Sequence, residues 1–148
     1  MNIRKILLAT DLSEESERPY AWLADLARST GAKITLLNVV EDLVVPAHGA
    51  PLAPPLHPID NAERIKHARE ELKEHAAKLG AGVDVSCAVI EGSPVSNTIA
   101  DYAAKEGFDL LTIASHGRGG FKRMLLGSVA ETLLRHATIP VIVFPRGD

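Results

Sequence analysis

Five short apolar runs, each separated from the next by a stretch with helical spacing, constrain this chain more than any other feature. The runs are Ile6–Ala9, Ile34–Val40, Val83–Ile90, Leu110–Ala114 and Ile139–Phe144. Ile34-Thr35-Leu36-Leu37-Asn38-Val39-Val40 is β-branched and nearly all apolar, the composition of a strand buried on both faces. Between the runs, Leu23, Leu26 and Ala27 predict a helix ending at Gly31. Ile65, Ala68, Leu72, Ala76 and Leu79 predict a second, ending at Gly80. Val95, Ile99, Tyr102 and Ala103 give a third, with Ser93 as its N-cap and Pro94 in its first turn, and Val129–His136 gives a fourth. Pro19 delays the start of the first helix beyond the capping candidates Asp11 and Ser13. Strands alternating with helices imply an α/β fold, a five-stranded parallel sheet with helices on both faces, doubly wound by right-handed crossovers.

Such sheets take ligands beyond the C-terminal ends of their strands, where the strand order reverses. Two of those ends carry suitable chemistry, Ala9–Ser13 and Ala114–Ser128. In the second, Gly117, Gly119 and Gly120 fall within four residues, and Gly127-Ser128 opens a helix. Glycines permit close backbone approach to a ligand, and the free N–H groups of a helix start favour an anion. A nucleotide-sized site follows if the first and fourth strands are neighbours. The loop is not a Walker A motif, because no Gly-Lys-Ser/Thr follows. It is not a dinucleotide fingerprint either, since its glycines follow the fourth strand and have the wrong spacing.

Composition sets further bounds. A length of 148 residues with 46% apolar content suits one domain, 1–148. Five of the nine prolines cluster between Pro46 and Pro58, which predicts a loop insertion at about 42–59. A net charge of -3 gives no overall pull toward nucleic acid. No apolar run approaches the ~20 residues of a membrane span, and no signal-peptide pattern is seen. The lone Cys87 cannot form an internal disulfide, and reads as a small core residue. A cytoplasmic location is the expectation.

Several residues admit two readings. Asp11 is either a helix cap or a ligand contact. His116 is a candidate acid or base, but a lone loop histidine more commonly packs or hydrogen-bonds. Arg118, Lys122 and Arg123 form a basic cluster; one or two of them neutralise phosphate, or the cluster is a solvated face, the reading preferred for Lys122 and Arg123. The remaining histidines lack zinc-site spacing and read as solvated or semi-buried positions.

The stretch Ser115-His116-Gly117-Arg118-Gly119-Gly120, followed by Leu125-Leu126-Gly127-Ser128-Val129-Ala130, closely resembles the universal stress protein family. So do Ala9-Thr10-Asp11-Leu12-Ser13 and Ile139-Pro140-Val141-Ile142-Val143-Phe144. Family members that bind ATP carry G-x2-G-x9-G-(S/T) here, and this chain has Ala114 in place of the first glycine. The resemblance implies a Rossmann-like sheet, of the adenine nucleotide alpha hydrolase-like type, with strand order 3-2-1-4-5. It also implies an ATP or AMP ligand, with Mg2+ or Mn2+ among the phosphates reached through Ser128.

By position, Ala9, Thr10, Asp11 and Val39 would meet the adenine end. Ala114, Ser115, His116, Gly117, Arg118, Gly119 and Gly120 would lie under the ribose and phosphates, and Gly127, Ser128 and Val129 would take the terminal phosphates. Ala114 costs little if its position is extended, and about 1–2 kcal/mol if it requires positive φ. The function implied is a nucleotide-dependent switch in the stress response, forming a homodimer through Ile139–Phe144 and acting on a protein partner. No general base or nucleophile is evident in the loop, so any ATP hydrolysis would be weak. A slow ATPase or adenylate-handling hydrolase, and a nucleotide-free dimeric scaffold, are the alternatives.

Overall fold

The computed structural model describes residues 2–41, 61–116 and 126–146. The predicted loop at about 42–59 and the positions Gly117, Arg118, Gly119, Gly120, Lys122 and Arg123 lie outside them. β1 (Lys5–Ala9) leads through a 3-10 turn (Glu14–Glu17) to α1 (Tyr20–Thr30). Then come β2 (Lys33–Val40), α2 (Asn61–Lys78), β3 (Asp84–Glu91), α3 (Val95–Lys105), β4 (Leu110–Ala114), α4 (Ser128–His136) and β5 (Val141–Phe144). The strands form one parallel sheet in the order β3-β2-β1-β4-β5. This is the doubly wound arrangement that the alternation of runs predicts.

Each face of the sheet carries two helices. Ile6, Leu8, Ile34 and Leu36 pack beneath α1 and α2, against Leu23, Ala27 and Leu72. Leu7, Ala9, Leu37, Leu111 and Ile113 pack beneath α3 and α4, against Ile99, Ala103 and Leu133. The two-residue repeat of each strand sends alternate side chains to opposite cores. That is why the central strands read as unbroken apolar runs. Burying one such leucine is worth about 1.5–3 kcal/mol.

Local chemistry sets the helix ends. Pro19 occupies the N-cap of α1, where its missing N–H is harmless, and its carbonyl accepts from Leu23 N–H at 2.9 Å. Gly31 ends that helix at φ 72°, a conformation that L side chains rarely adopt. At α3 the sequence places Pro94 inside the first turn and Ser93 at the cap. The structure shifts this by one: Pro94 is the N-cap, extended at ψ 154°, and its carbonyl accepts from both the amide and the hydroxyl of Thr98.

Two further expectations are corrected. Cys87 is not a core residue but exposed. It shares the α2 side of β3 with Val85 and Val89, but β3 is an edge strand, so that side is only half covered. Its Sγ reaches the Leu72 carbonyl at 3.5 Å, and burial of that side raises the thiol pKa. His75, expected to be solvated or semi-buried, is buried between α1 and α2.

Candidate functional site

At the C-terminal ends of β1 and β4 the crossovers leave toward opposite faces, α1 one way and α4 the other. A crevice opens there, as the geometry of such sheets requires. Its cavity measures about 600 Å³, within the usual range for small-molecule sites. Ala9, Thr10, Asp11, Val39, Ala114, Ser115, His116, Gly127, Ser128 and Val129 all line it. These are all of the sequence-predicted site residues that the structure describes.

One wall is the turn after β1. Thr10 is buried; its amide donates to the Leu37 carbonyl at 2.9 Å, and its own carbonyl accepts from Asn38 Nδ2 at 3.0 Å. Its Oγ1 lies 2.7 Å from Ser16 Oγ and accepts from Leu12 N–H at 3.0 Å. Asp11 is exposed, and its Oδ1 accepts from the amide and hydroxyl of Ser13. Asp11 is therefore not a helix cap, since Ser13 and Pro19 hold the N-cap positions; its carboxylate instead braces the turn, and the residue lines the cavity. Leu12, at φ 67°, is the sole non-glycine residue with positive φ among the described residues.

The other wall joins the end of β4 to the start of α4. Ala114 closes β4 opposite Phe144, and its φ is not positive. Alanine is unstrained in this extended position. Gly127 is needed for a different reason from the one its motif suggests. Its φ is -72°, but a Cβ there would lie 2.6 Å from the Ser115 carbonyl oxygen. The Gly127 amide donates to that same oxygen at 2.6 Å, which fixes where α4 begins. Among the described residues, no side-chain hydrogen bond caps this helix. Its first internal bond runs from Glu131 N–H to the Gly127 carbonyl at 2.9 Å. The amides of Ser128, Val129 and Ala130 therefore have no acceptor within the helix, the arrangement that favours an anion.

His116 is 6% exposed, with Nδ1 2.9 Å from Ser115 Oγ. Its Nε2 is buried without a partner among the described residues. Sequence reasoning missed much of the lining. Ser16 and Asn38 brace the first wall, and Leu37, Val95, Ile99, Ile113, Leu126, Ala130 and Glu131 complete the cavity. Val95 and Ile99 were legible as one helical face. That face becomes a cavity wall only because α3 begins beside the strand ends.

An open parallel sheet with a crevice at its switch point, walled on one side by an uncapped helix start, defines a Rossmann-like α/β domain. The sequence places it more narrowly. The model of the Universal stress protein family matches residues 2–145, and the chain belongs to that family. The universal stress protein MJ0531 of Methanocaldococcus jannaschii is 31% identical over 142 residues, covering 95% of this chain and 81% of that protein. The structure of UspA from Lactobacillus plantarum superposes with a TM-score of 0.78 at 25% identity, over 97% of this chain and 99% of that one. Two more distant members share the fold and were solved with ligands. One is a universal stress protein in complex with cAMP, with a TM-score of 0.65 at 22% identity over 97% of both chains. The other is from Archaeoglobus fulgidus in complex with dAMP, with a TM-score of 0.59 at 20% identity over 99% of this chain and 100% of that one. No helix among the described residues is long and apolar enough to cross a membrane.

Proposed function

We propose that this chain binds an adenine nucleotide, ATP or AMP, in the crevice between β1 and β4, and acts in the stress response as a nucleotide-dependent switch. The observation that carries this reading is the convergence of both strand-end loops on one cavity of about 600 Å³. The apolar side chains of Val39, Val95 and Ile99 suit a base, and the free amides at the start of α4 suit a phosphate. Ala114 ends β4 without positive φ, so alanine in place of the first motif glycine adds no backbone strain, which supports this reading. The cAMP and dAMP complexes of fold relatives support the same ligand class.

In this reading Ala9, Thr10, Asp11 and Val39 hold the adenine end. Ser115, His116, Gly127, Ser128 and Val129 hold the phosphates, together with Gly117, Arg118, Gly119 and Gly120 of the intervening stretch. Where Mg2+ or Mn2+ accompanies the phosphates, it would meet the Ser128 hydroxyl. The edge strand β5, apolar and half-buried, with Trp22 against Phe144, supports pairing with a second copy as a homodimer. A cytoplasmic site of action and an unidentified protein partner complete the proposal.

Calorimetry of nucleotide-stripped protein tests it. Saturable heat with AMP or ATP is expected, and no heat at millimolar nucleotide would overturn it. Light scattering tests the dimer, and a monomer at working concentration would refute that part alone.

A further inference from the structure

The turn after β1 interrupts a β-ladder, and the interruption leaves a backbone edge open in the crevice. β1 pairs with β2 in register as far as Ala9 opposite Leu37, while β2 stays paired to β3 through Val40 opposite Glu91. One more rung follows on the β1 side, from the Thr10 amide to the Leu37 carbonyl at 2.9 Å. In a parallel ladder the next rung would run from the Val39 amide to the Thr10 carbonyl. That rung is missing between these two residues. The Thr10 carbonyl accepts instead from Asn38 Nδ2 at 3.0 Å, and the chain leaves the sheet through Leu12 at φ 67°.

The consequence falls on Val39. In a parallel strand the N–H and C=O of one residue face the same neighbour, and successive residues alternate. Leu37 faces β1, so Val39 does too, at a level where β1 no longer pairs. Its amide and carbonyl are left without a ladder partner, in a residue that lines the cavity. Asn38, which lines the same cavity, has taken the place of that amide. A carbonyl accepts only from the nitrogen end of a side-chain amide, so the Thr10 carbonyl also fixes which way Asn38 is turned.

A backbone donor beside a backbone acceptor complements an acceptor beside a donor on a ligand. Adenine offers that pattern, with N1 or N7 next to its N6 amine. A 6-oxopurine puts an acceptor where the amine stood, and so faces the Val39 carbonyl with like against like.

We infer that Asn38 is a positioning residue: by occupying the Thr10 carbonyl it keeps the backbone edge of Val39 open, and it thereby sets a preference for 6-aminopurine over 6-oxopurine ligands. The choice of ligand rests on the nucleotide reading, whereas the open edge belongs to the ligand-free protein.

Hydrogen exchange and calorimetry on the full chain test the two halves. In ligand-free protein the Val39 amide should exchange much faster than the Leu37 amide, and AMP should slow it. AMP should bind roughly tenfold or more tightly than IMP, its 6-oxo counterpart. In Asn38→Leu the Thr10 carbonyl loses its donor and turns to the Val39 amide. That amide should then be protected without ligand, and the preference for AMP should disappear. A residue that only braced the turn would, on substitution, weaken both nucleotides alike and leave their ratio unchanged, which would overturn the inference. So would a protected Val39 amide in the unmodified protein, or equal affinity for AMP and IMP; each of these outcomes leaves nucleotide binding standing. Absence of heat with either nucleotide would remove both readings together. Asn38→Asp keeps the shape of asparagine without a donor at neutral pH, and carries the same readouts if Asn38→Leu does not fold.

Discussion

The two walls of the crevice are built on opposite plans. In the turn after β1, Thr10, Asp11, Ser13 and Ser16 bind one another and the local backbone, so its polar groups are already engaged. At the start of α4 the position is fixed by one backbone bond from Gly127 to Ser115. Helix amides and the Nε2 of His116 are left without partners among the described residues. A satisfied wall can orient a ligand by shape. An unsatisfied wall leaves hydrogen-bonding capacity for the ligand to fill, at a cost of about 1–3 kcal/mol for each buried group left bare. The contrast separates groups spent on holding the protein together from groups left available in the crevice.

Substitutions can break that division. Gly127→Ala is expected to do the most, since the added Cβ meets a backbone carbonyl that cannot step aside. A stability loss of about 1–3 kcal/mol by urea titration should accompany loss of nucleotide binding. Thr10→Val comes next. It leaves Ser16 Oγ and the Leu12 amide short of a partner, and should cost about 1–2 kcal/mol of stability, with affinity falling only as far as the turn loosens. Ser128→Ala should show the reverse signature. Stability should stay within about 0.5 kcal/mol, because the exposed Ser128 caps nothing, while calorimetric affinity for ATP drops by roughly 3–10-fold. Equal losses of stability and affinity in both Thr10→Val and Ser128→Ala would show that the walls do not differ in kind.

The smallest effect lies at the opposite end of the same two strands. Asp109, just before β4, accepts from the amides of Arg4 and Lys5 at 2.8 and 2.9 Å, and these bonds hold its carboxyl below the ordinary range. A depressed carboxyl stabilises the fold above its unfolded value of about 3.9, and that contribution fades as pH falls through the lower, folded value. Thermal melts should therefore show a slight extra acid sensitivity below about pH 4, reduced in Asp109→Asn. It should be small because the carboxylate is solvent-exposed, and it should leave both walls alike.

The sheet was legible because strands buried on both faces have to be apolar throughout, and helices on such sheets have to carry one apolar stripe. The described part of the site was legible because motif residues sit where strand ends meet. What escaped depended on neighbours that sequence does not name. Cys87 is exposed because β3 lies at the edge, a fact of strand order. Ser16 and Asn38 line the cavity because the turn after β1 folds back on them, each hydrogen-bonded to Thr10. His75 was within reach, since it continues the stripe of Ala68, Leu72 and Leu79, but its polar identity argued for solvent. Gly127 lines the cavity, and its missing side chain has a local reason that the motif does not give: the space is filled by a carbonyl of its own chain.

Leu12 holds a left-handed backbone that costs an L-residue about 1–2 kcal/mol. Its side chain, half-buried against the core beneath α1 and α2, offsets that strain. Backbone preference and burial pull this residue in opposite directions, and burial prevails. The carboxylate of Asp11 thus owes its place in the crevice to the grip of a neighbour that does not itself line the cavity. If the crevice takes the proposed nucleotide, selection on its geometry would act there on a side chain outside the cavity.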